Sequence, residues 1–493
     1  GGAAARQRRL SGCPMHGEAP RPAADMPGLR TWPLIQALPT ILSYRTRKGD
    51  GGVRFLDLWS DSLKKHGPVF RVGTLPGDKP MVMVSSPDYL KVLDVPSPDI
   101  RGIFDSVWAL KDFYRLHHPE EKLNPFLLRG EEWRKGRLAV NPHLFNVKAA
   151  KSYLPKINRA AVSAVAHVGE YEEQMNKFAT YAAMDMFNGM ALGLDMRATA
   201  GDAKDIATTE KMVDAVQTLI LIGQSAPWSE KDMLKLGAWK RFEESWNAGV
   251  EQVEALIKES LENGNGEGFL PAFLADEKEI SQFQAVSMVA VLLFAAADTT
   301  AATLANTILN LSRNPEVQAK LREELRAELN GGDWTAESRC NYLNWVLYEN
   351  QRVLPTLSIS HVRNEIEEDV VIEGQVITKG SSIFFSHNLI AQAVDRPDEF
   401  IPERWSDEER EKRKGTPLEF LDHPIVREPF GFGPRKCVGS RVALLEIKAL
   451  LSRLVQDYEF HYDEQTSAPY DTVAIITNSP TPFPHIRFKR LAA

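Results

Sequence analysis

Cysteine is scarce in this sequence, with only Cys13, Cys340 and Cys437 among 493 residues. Three cysteines cannot build a disulfide framework or a four-thiolate zinc site, and their scarcity favours a reducing, intracellular setting. A surplus of basic side chains is also lacking, because 59 lysines and arginines stand against 66 acidic residues. Proteins that coat nucleic acid need that surplus to displace counterions. We therefore expect no nucleic-acid partner.

Long hydrophobic runs are missing as well. The longest mostly apolar stretch, Phe283 to Ala297, is shorter than the roughly 20 residues that cross a bilayer, and it runs directly into Asp298. A stretch of this length is typical of a buried core helix. We therefore expect no transmembrane anchor in this chain.

The first residues lack acidic side chains. Arg6, Arg8 and Arg9 precede the first acid, Glu18, and residues 1–35 are rich in glycine, alanine, proline and arginine without periodicity. We expect this segment to be mobile, and an Arg-rich, acid-poor start resembles the remains of an organelle transit segment. An artificial chain end is the equally weighted alternative. We expect residues 36–493 to form one domain, because no repeat or linker interrupts them.

The residues that are present predict a large, mainly helical domain. Hydrophobic residues make up 43% and charged residues 25% of the chain, which are ordinary globular values. From about 130 to 330, apolar residues recur at the three- and four-residue spacing of helices. Two small β-sheet regions are also predicted: a hairpin of Val69–Val72 with Met81–Val84, and a sheet within residues 364–385 around Gly374 and Gly380.

The strongest motif is the stretch FGFGPRKCVG, from Phe430 to Gly439. Cys437 follows a loop with Gly431 and Gly433, and apolar residues at helical spacing begin directly after it. A thiolate near the start of a helix is stabilised by the helix dipole and by free backbone N–H groups, and glycines let the backbone approach a flat ligand. A buried structural cysteine is the ordinary alternative, but the surrounding pattern argues against it.

With this motif the sequence resembles the cytochrome P-450 family, the heme-thiolate monooxygenases, over about residues 25–490. The resemblance implies the mainly α cytochrome P-450 fold and heme b (iron-protoporphyrin IX) as the cofactor. It assigns Cys437 as the axial ligand of the iron and Arg435 to a heme propionate, with Phe430 and Gly439 completing the cofactor loop. Thiolate ligation pushes electron density onto the iron and favours O–O cleavage.

Three other stretches agree with the family in the expected order. Glu349 and Arg352 in ENQR share a helix face, a spacing that is uninformative alone. By resemblance they form a structural rather than catalytic network with Arg404 of PDEFIPERW. Trp133 and Arg137 in WRKGR lie one helical turn apart. The resemblance assigns both to a heme propionate, whereas alone they would suggest an amphipathic surface turn.

The third stretch, FAAADTTAATL, puts a carboxyl and two hydroxyl groups in the middle of an apolar helix. Polar groups there are costly unless they are satisfied or used. By resemblance, Asp298 and Thr299 form an acid–alcohol pair over the iron that organises water and delivers protons. The alternative is a helix kink with the Thr299 hydroxyl bonded to a carbonyl one turn back. Ala296 replaces a usual glycine, which predicts a tighter groove.

Within the family the sequence is most similar to the mitochondrial-type branch, with two departures. A propionate-binding arginine is expected where Val362 stands; His361 and Arg363 flank this position, and either could serve. The basic residues that would dock a ferredoxin are replaced by Asn344 and Tyr348. Basic charge near the heme loop would then come from Arg441 or from a cluster that a solvated loop explains better: Arg410, Lys412, Arg413 and Lys414.

These expectations combine into a monooxygenase that uses O2 and two electrons to hydroxylate an apolar sterol, fatty acid or terpenoid-like substrate. The electrons come from an external donor, and the branch favours a ferredoxin. The alternative is a heme-thiolate isomerase or dehydratase that acts on a hydroperoxide without O2 or reductant, and the acid–alcohol pair counts against it. A heme sensor or carrier without turnover ranks last. The predicted location is mitochondrial and peripheral to a membrane.

The substrate pocket is predicted from apolar stretches. Leu219 to Trp228 could also dip into a membrane surface as an access lip, although core packing explains it as well. The predicted lining residues are Val216, Leu219, Ile220, Leu221, Phe294 and Leu357.

Overall fold

The structure is a computed structural model that describes part of the chain. The described residues are 26–29, 38–46, 52–75, 79–94, 108–223, 237–263, 267–276, 281–359, 361–363, 365–386, 389, 391–474 and 477–492. Cys13, residues 1–25 of the predicted mobile segment and residues 224–228 of the predicted membrane lip lie outside them.

Helices dominate the described chain, which confirms the predicted mainly α class. The α-helices are α1 Leu38–Ser43, α2 Phe55–His66, α3 Trp108–His117, α4 Gly130–Leu144, α5 Val147–Ser152, α6 Leu154–Ala166, α7 Met175–Leu192, α8 Ala203–Gly223, α9 Gly237–Asn263, α10 Phe269–Asp276, α11 Gln282–Arg313, α12 Pro315–Leu329, α13 Asn341–Val353, α14 Asp407–Arg413, α15 Pro424–Arg427 and α16 Ser440–Asp457. Short 3-10 helices are Pro87–Asp94, Pro125–Leu127, Val168–Tyr171, Pro402–Trp405, Glu419–Asp422 and Gly433–Arg435.

Strands form several small sheets within the described chain. They are β1 Val69–Leu75, β2 Lys79–Val84, β3 His361–Arg363, β4 Val370–Ile372, β5 Gln375–Ile377, β6 Ser382–Phe385, β7 Tyr458–Tyr462, β8 Asp471–Ala474, β9 Asn478–Thr481 and β10 Ile486–Arg490. A four-stranded sheet has the order β1-β2-β6-β3, and β2 runs parallel to β6. The pairs β4 with β5, β7 with β10 and β8 with β9 are two-stranded and antiparallel.

The predicted first hairpin is confirmed, and the strands after it are distributed differently from the expectation. Antiparallel pairing of β1 and β2 joins Val69 to Val84 and Phe70 to Met83. Residues 364–385 contain the hairpin of β4 and β5. They also contain β6, which does not join that hairpin but pairs with β2. The predicted second sheet is therefore split between two sheets, because β6 finds its partner far away in the sequence.

The long helix α11 forms the centre of the core. Ser281 and Gln284 make a reciprocal capping box at its start, and Pro315 begins the next helix directly after its end. Side chains such as Leu293, Leu304 and Ile308 are completely buried, each contributing roughly 1.5–3 kcal/mol to folding. Around it pack α7, α9 and α16, and α16 also packs against α6. The motif before α16 is thereby attached to a rigid core.

By length and hydropathy α11 is also apolar enough to cross a membrane. The sequence interpretation, which ended the apolar stretch at Ala297, underestimated this helix, because the apolar pattern resumes after Asp298. However, 72% of the most apolar window is buried inside the protein. That burial agrees with the predicted core helix.

Candidate active site

Cys437 closes a loop that contains two glycines and leads directly into α16. The Cys437 backbone N–H donates to the carbonyl oxygen of Phe430 at 2.9 Å, which ties the ends of the loop together. Gly431 and Gly433 have φ values of 70° and 75°, a left-handed conformation that side chains with a Cβ disfavour. Gly439 precedes α16, and a Cβ built there would lie 4.0 Å from Cys437 Sγ. The loop therefore needs glycine for its backbone conformation.

The Cys437 thiol is accessible, although the nearby Ser440 is buried. Burial raises the pKa of the thiol, while the backbone N–H groups of Gly439 and Ser440 and the charges of Arg137 and Lys436 lower it. N–H donors and cations around a sulfur favour its thiolate form, which is the form that binds metal ions.

Arg137, whose charge acts on this thiol, belongs to a group of two arginines and a tryptophan. The Arg435 guanidinium carbon is 3.7 Å from the centre of the Trp133 ring, a close cation–π contact. Arg137 donates to Asn141 Oδ1 at 2.7 Å, and burial lowers the pKa of Arg137, with Cys437 opposing and Arg435 reinforcing that shift. The structure thus brings together Trp133, Arg137 and Arg435. Two neighbouring, partly desolvated guanidinium groups are suited to an anion such as a carboxylate.

His361 and Arg363 both belong to β3, on either side of the buried Val362. Successive strand residues alternate between faces, so positions 361 and 363 share one face of the strand. β3 pairs with β6, with His361 opposite Phe385 and Arg363 opposite Ile383. The side chains of His361 and Arg363 lie outside the described part of the structure.

Glu349, Arg352 and Arg404 meet in a buried network. The Arg352 guanidinium donates twice to the Glu349 carboxylate, at 2.8 and 3.0 Å, and both side chains are almost fully buried. Glu349 also accepts hydrogen bonds from the backbone N–H of Ile401 and from the Trp405 indole, both at 2.9 Å. Arg404 Nε lies 3.4 Å from Glu349 Oε1 without hydrogen-bond geometry. The network joins α13 to the Pro402–Trp405 turn.

The centre of α11 carries a run of partly exposed residues within an otherwise buried helix. Ala295, Ala296, Asp298 and Thr299 are half-buried, whereas the residues on either side of this run are buried. Thr299 Oγ1 donates to the carbonyl oxygen of Ala295 at 2.8 Å, so the alternative contact considered from the sequence is present. Burial raises the pKa of Asp298, and a hydrogen bond from Thr477 lowers it.

Two polar groups near this helix were missed by the sequence analysis. Thr477 Oγ1 donates to Asp298 Oδ2 at 2.8 Å across 179 residues of sequence, a separation that leaves no local signal. Glu446 on α16 is buried, and burial raises its pKa to about 8. The Thr300 hydroxyl moderates that shift, although neither Glu446 Oε1 nor Thr300 Oγ1 has a hydrogen-bond partner among the described residues. A single glutamate within a helical apolar pattern does not indicate that its side chain is buried.

Cys340 differs from Cys437 in its surroundings. It is buried, and its Sγ donates to Glu324 Oε2 at 2.7 Å. Burial and Glu324 raise the pKa of this thiol above its ordinary value. The same Glu324 carboxylate accepts the backbone N–H groups of Asn341 and Tyr342 at the start of α13. Cys340 therefore sits in a capping arrangement and is poorly suited to be a metal ligand.

The basic cluster considered for partner docking is neutralised within the chain. Each cation of α14 and its end pairs with nearby acids: Arg410 with Asp407 and Asp422, Lys412 with Glu408 and Glu409, Arg413 with Asp422, and Lys414 with Glu411. Arg441 instead is exposed, with its guanidinium carbon 5.1 Å from the centre of the Phe145 ring. Within the described chain no carboxylate lies within ion-pair distance of Arg441.

The residues present fit a heme. The charge of the partly buried Arg137 acts on an accessible thiol, and Arg435 adjoins Arg137. The carboxyl and hydroxyl groups of Asp298 and Thr299 are partly exposed in the middle of a buried helix. Thiolate, cations and an apolar enclosure are the groups that a heme iron, its propionates and its macrocycle need. Together with the mainly α fold, this donor set defines the class of heme-thiolate proteins.

Comparison with known proteins identifies the family. A model of the family described as Cytochrome P450 matches residues 33–484, so the chain belongs to that family. "Sterol 26-hydroxylase, mitochondrial" of Homo sapiens is 26% identical over 381 residues, covering 71% of this chain and 69% of the relative. "Probable cytochrome P450 12e1, mitochondrial" of Drosophila melanogaster is 25% identical over 484 residues, covering 90% and 88%. "Probable cytochrome P450 12d1 proximal, mitochondrial" of the same organism is 25% identical over 461 residues, covering 84% and 82%.

The predicted family, fold class, enzyme class and cofactor are thereby confirmed. The chain is a cytochrome P450 monooxygenase, whose family carries heme with a cysteine thiolate as axial ligand. Its substrate is apolar and its reaction uses O2 together with an electron-transfer partner.

Proposed function

We propose that this enzyme hydroxylates a sterol, fatty acid or terpenoid-like substrate with two electrons from an external donor. The observation that carries the proposal is the half-buried pair Asp298 and Thr299 in the middle of an otherwise buried helix. A carboxyl and a hydroxyl group that are partly exposed within the core are suited to deliver protons to an enclosed reaction. An isomerase or dehydratase, which needs no such delivery, is the less favoured function.

Cys437 is the proposed axial ligand of the heme iron. Bound there, heme supplies the binding and activation of O2, and the thiolate favours O–O cleavage. The N–H groups of Gly439 and Ser440 stabilise the thiolate, and the Phe430 carbonyl holds the loop in place. Arg137 and Arg435 are the proposed partners of the propionates, because the charge of Arg137 acts on the thiol and the charge of Arg435 acts on Arg137.

Three further residues take part in holding the cofactor. Trp133 supports Arg435 through their stacking contact, so its role toward the propionate is indirect. His361 and Arg363 remain alternative propionate ligands, and their shared strand face is compatible with either of them. Glu349, Arg352 and Arg404 are proposed to hold the fold around the site, since their contacts are with one another, with the Trp405 indole and with neighbouring backbone.

Proton delivery is assigned to Asp298 and Thr299. The hydrogen bond from Thr299 Oγ1 to Ala295 uses the only hydroxyl proton, and both oxygen lone pairs still accept from water. The contact therefore orients the hydroxyl without removing it from chemistry. The raised pKa of Asp298 makes its carboxyl a better proton donor near neutral pH than an exposed aspartate.

The substrate class is proposed from the apolar surroundings and from the relatives. Val216, Leu219 and Phe294 are buried, and Ile220 and Leu357 are half-buried. One relative is named a sterol 26-hydroxylase, which favours a sterol within the proposed range. No polar residue of the predicted lining selects one of the three classes. A substrate screen therefore starts with sterols.

The partner and location are proposed from the same relatives. Those compared carry the word mitochondrial in their names, which favours a mitochondrial enzyme that receives electrons from a ferredoxin. We also propose that residues 36–493 form a single catalytic domain and that the enzyme contacts a membrane peripherally.

The first experiment tests the axial ligand. The purified protein is reduced and treated with carbon monoxide, and its difference spectrum is compared with those of Cys437→Ala and Cys340→Ala. We expect a thiolate-type Soret band in the native enzyme and in Cys340→Ala, and its loss in Cys437→Ala. A thiolate band that survives Cys437→Ala would refute the assignment.

The second experiment separates the two functions. Sterols, fatty acids and terpenoids are incubated with the enzyme, a ferredoxin and its reductase, with and without O2 and reductant. Hydroxylated product that requires both O2 and reductant supports the proposal. Rearrangement of a hydroperoxide in the absence of both would support the isomerase or dehydratase instead.

A further inference from the structure

The carboxyl group of Asp298 is held by a residue from the far end of the chain. Thr477 Oγ1 donates to Asp298 Oδ2 at 2.8 Å. Within the described chain, burial and this hydrogen bond are the influences on the pKa of Asp298, and no charged side chain contributes. Among the described residues, Thr477 is therefore the hydrogen-bond partner of a carboxyl group that has no ion pair.

The position of Thr477 is itself fixed. Its backbone forms an antiparallel bridge with Leu357, and its side chain is only 8% exposed. The next residue, Asn478, is fully buried and begins β9. The backbone and side-chain polar groups of Asn478 are all hydrogen-bonded, with Thr356 O at 2.9 Å, Pro355 O at 2.8 Å, Asn306 Nδ2 at 3.0 Å and Ser358 Oγ at 2.7 Å.

These bonds attach one strand end to α11 at two places. Thr477 contacts Asp298, and Asn478 accepts from Asn306, which lies eight residues further along the same helix. At 1.5 Å per residue the two places are roughly 12 Å apart along the helix axis. Two contacts at that distance fix both the position and the direction of the strand end relative to the helix. The Thr477 hydroxyl is thereby presented to Asp298 without freedom to drift.

We propose that Thr477 is a positioning residue for the hydroxylation reaction: it fixes Asp298 Oδ2 so that Oδ1 is presented to the water that connects Asp298 with Thr299. The proposal rests on the proposed proton-delivery function of Asp298 and Thr299. Its physical basis is that a proton relay needs its groups held closely, since a displacement of about 1 Å can cost on the order of a hundred-fold in rate. Asn478 serves as the anchor of Thr477.

The test compares Thr477→Val, which removes the hydroxyl at nearly constant shape, with Thr477→Ser, which retains it. We expect Thr477→Val to lower the product formed per electron roughly ten-fold and to raise hydrogen peroxide release, because a hydrogen bond to a carboxylate is lost. Thr477→Ser should restore most of the coupling. The matched control is Thr472→Val, in the same hairpin and paired with Pro480.

A second readout does not depend on turnover. The infrared carbonyl band of protonated Asp298 is identified by its absence from Asp298→Asn and is followed against pH in the resting enzyme. In Thr477→Val the band should shift in frequency and persist to a higher pH, because the bond that lowers the pKa of Asp298 is gone. If Thr477 acted only through its methyl group, the band would be unchanged in Thr477→Val, which keeps that group.

The outcomes separate the inference from the function on which it rests. If Asp298→Asn uncouples the enzyme while Thr477→Val has normal coupling and an unchanged infrared band, the positioning role is overturned and proton delivery by Asp298 stands. If Asp298→Asn is normally coupled, both are overturned. If Thr477→Val uncouples the enzyme but adds nothing to the defect of Asp298→Asn in the double variant, the two side chains act as one unit, as proposed.

Discussion

At the scale of single residues, Asp298 and Glu446 show what burial does to a carboxyl group. Burial raises the pKa of both, but their partners differ. Asp298 accepts from the Thr477 hydroxyl and is partly exposed, whereas Glu446 Oε1 has no hydrogen-bond partner among the described residues. The first arrangement supports proton exchange, and the second imposes a cost on the folded state when the group ionises.

Replacement of Thr299 tests the alcohol of the proposed pair. Thr299→Ala should retain heme but form product per electron roughly ten-fold less efficiently, with the lost electrons appearing as peroxide, because the hydroxyl proposed to pass protons is gone. The measurement is the ratio of product to reductant consumed. Thr307→Ala is the control, since Thr307 makes the same type of bond to a carbonyl one turn back on α11. Normal coupling in Thr299→Ala would show that the proton-delivery assignment is wrong.

Glu446 predicts a dependence of stability on pH. Between its ordinary value of 4.5 and the value of about 8 in the fold, the folded protein keeps a proton that the unfolded chain has lost. The free energy of unfolding therefore falls with rising pH by about 1.4 kcal/mol per unit from this group alone, and the loss is complete above about pH 8. Glu446→Gln removes this loss.

Thermal unfolding of the heme-loaded enzyme at several pH values checks the prediction. The melting temperature of Glu446→Gln relative to the native enzyme should rise steadily from pH 5 to about pH 8. The exposed Glu251→Gln is the control and should give a constant difference. A constant difference for Glu446→Gln as well would mean that Glu446 is already ionised in the fold at pH 5.

The residues that sequence could predict are those with a local pattern. Cys437 stands in a loop whose glycines, arginine and following helix are all neighbours in sequence. Thr477 has no such local sequence pattern, because its proposed role depends on a contact with Asp298 that only the folded chain creates. Glu446 follows the same logic, since its burial depends on the packing of α16 against α11.

At the scale of elements, two pairs with identical spacing have opposite roles. Glu349 and Arg352 on α13 are almost fully buried, with hydrogen bonds from Ile401 and Trp405 completing the carboxylate. Glu131 and Arg134 on α4 have the same three-residue separation but are more than half exposed. A three-residue spacing therefore predicts that two side chains share a helix face. It does not predict how much the pair contributes to stability, because that contribution depends on burial.

The matched substitutions are Arg352→Lys and Arg134→Lys. Arg352→Lys loses the two-point contact and leaves the Glu349 carboxylate underpaired in the interior, which should cost about 3–5 kcal/mol. Arg134→Lys should change stability little, because water replaces the lost contact. Thermal unfolding and the half-life of heme retention measure the difference. Equal, small effects of both substitutions would contradict a larger contribution of the buried pair to the free energy of unfolding.

Helices and the first hairpin were predictable because their signals are local, whereas the sheet pairings were not. The turn between β1 and β2 is short, and alternation on both sides predicts their pairing. The parallel pairing of β2 with β6 joins Met81 to Ser382 across some three hundred residues. The alternation of apolar and polar residues in β6 does not show whether this strand pairs with the strands next to it in sequence or with the distant β2.

At the scale of the whole molecule, the distribution of charge decides where an electron donor would dock. The net charge is −7, so the enzyme as a whole does not attract an acidic ferredoxin, and a local basic surface has to do so. The cations of α14 are cancelled by their own acids. Arg441 and Lys148 are exposed at the starts of α16 and α5, and Arg441 contacts Phe145, three residues before Lys148. Arg441 also lies four residues after Cys437.

We therefore expect electron transfer from an acidic ferredoxin to depend on the exposed cations Arg441 and Lys148. Arg441→Gln and Lys148→Gln should each lower the rate of complex formation roughly two- to five-fold at low salt, because each removes one attractive charge from the encounter. Lys412→Gln is the matched control and should have little effect, since its charge is already paired with Glu408 and Glu409. Stopped-flow reduction of the heme at increasing ionic strength is the measurement, and the differences should fade as salt screens them. A larger effect of Lys412→Gln than of Arg441→Gln would move the docking surface to α14, and equal rates for all variants would mean that the donor does not recognise basic charge.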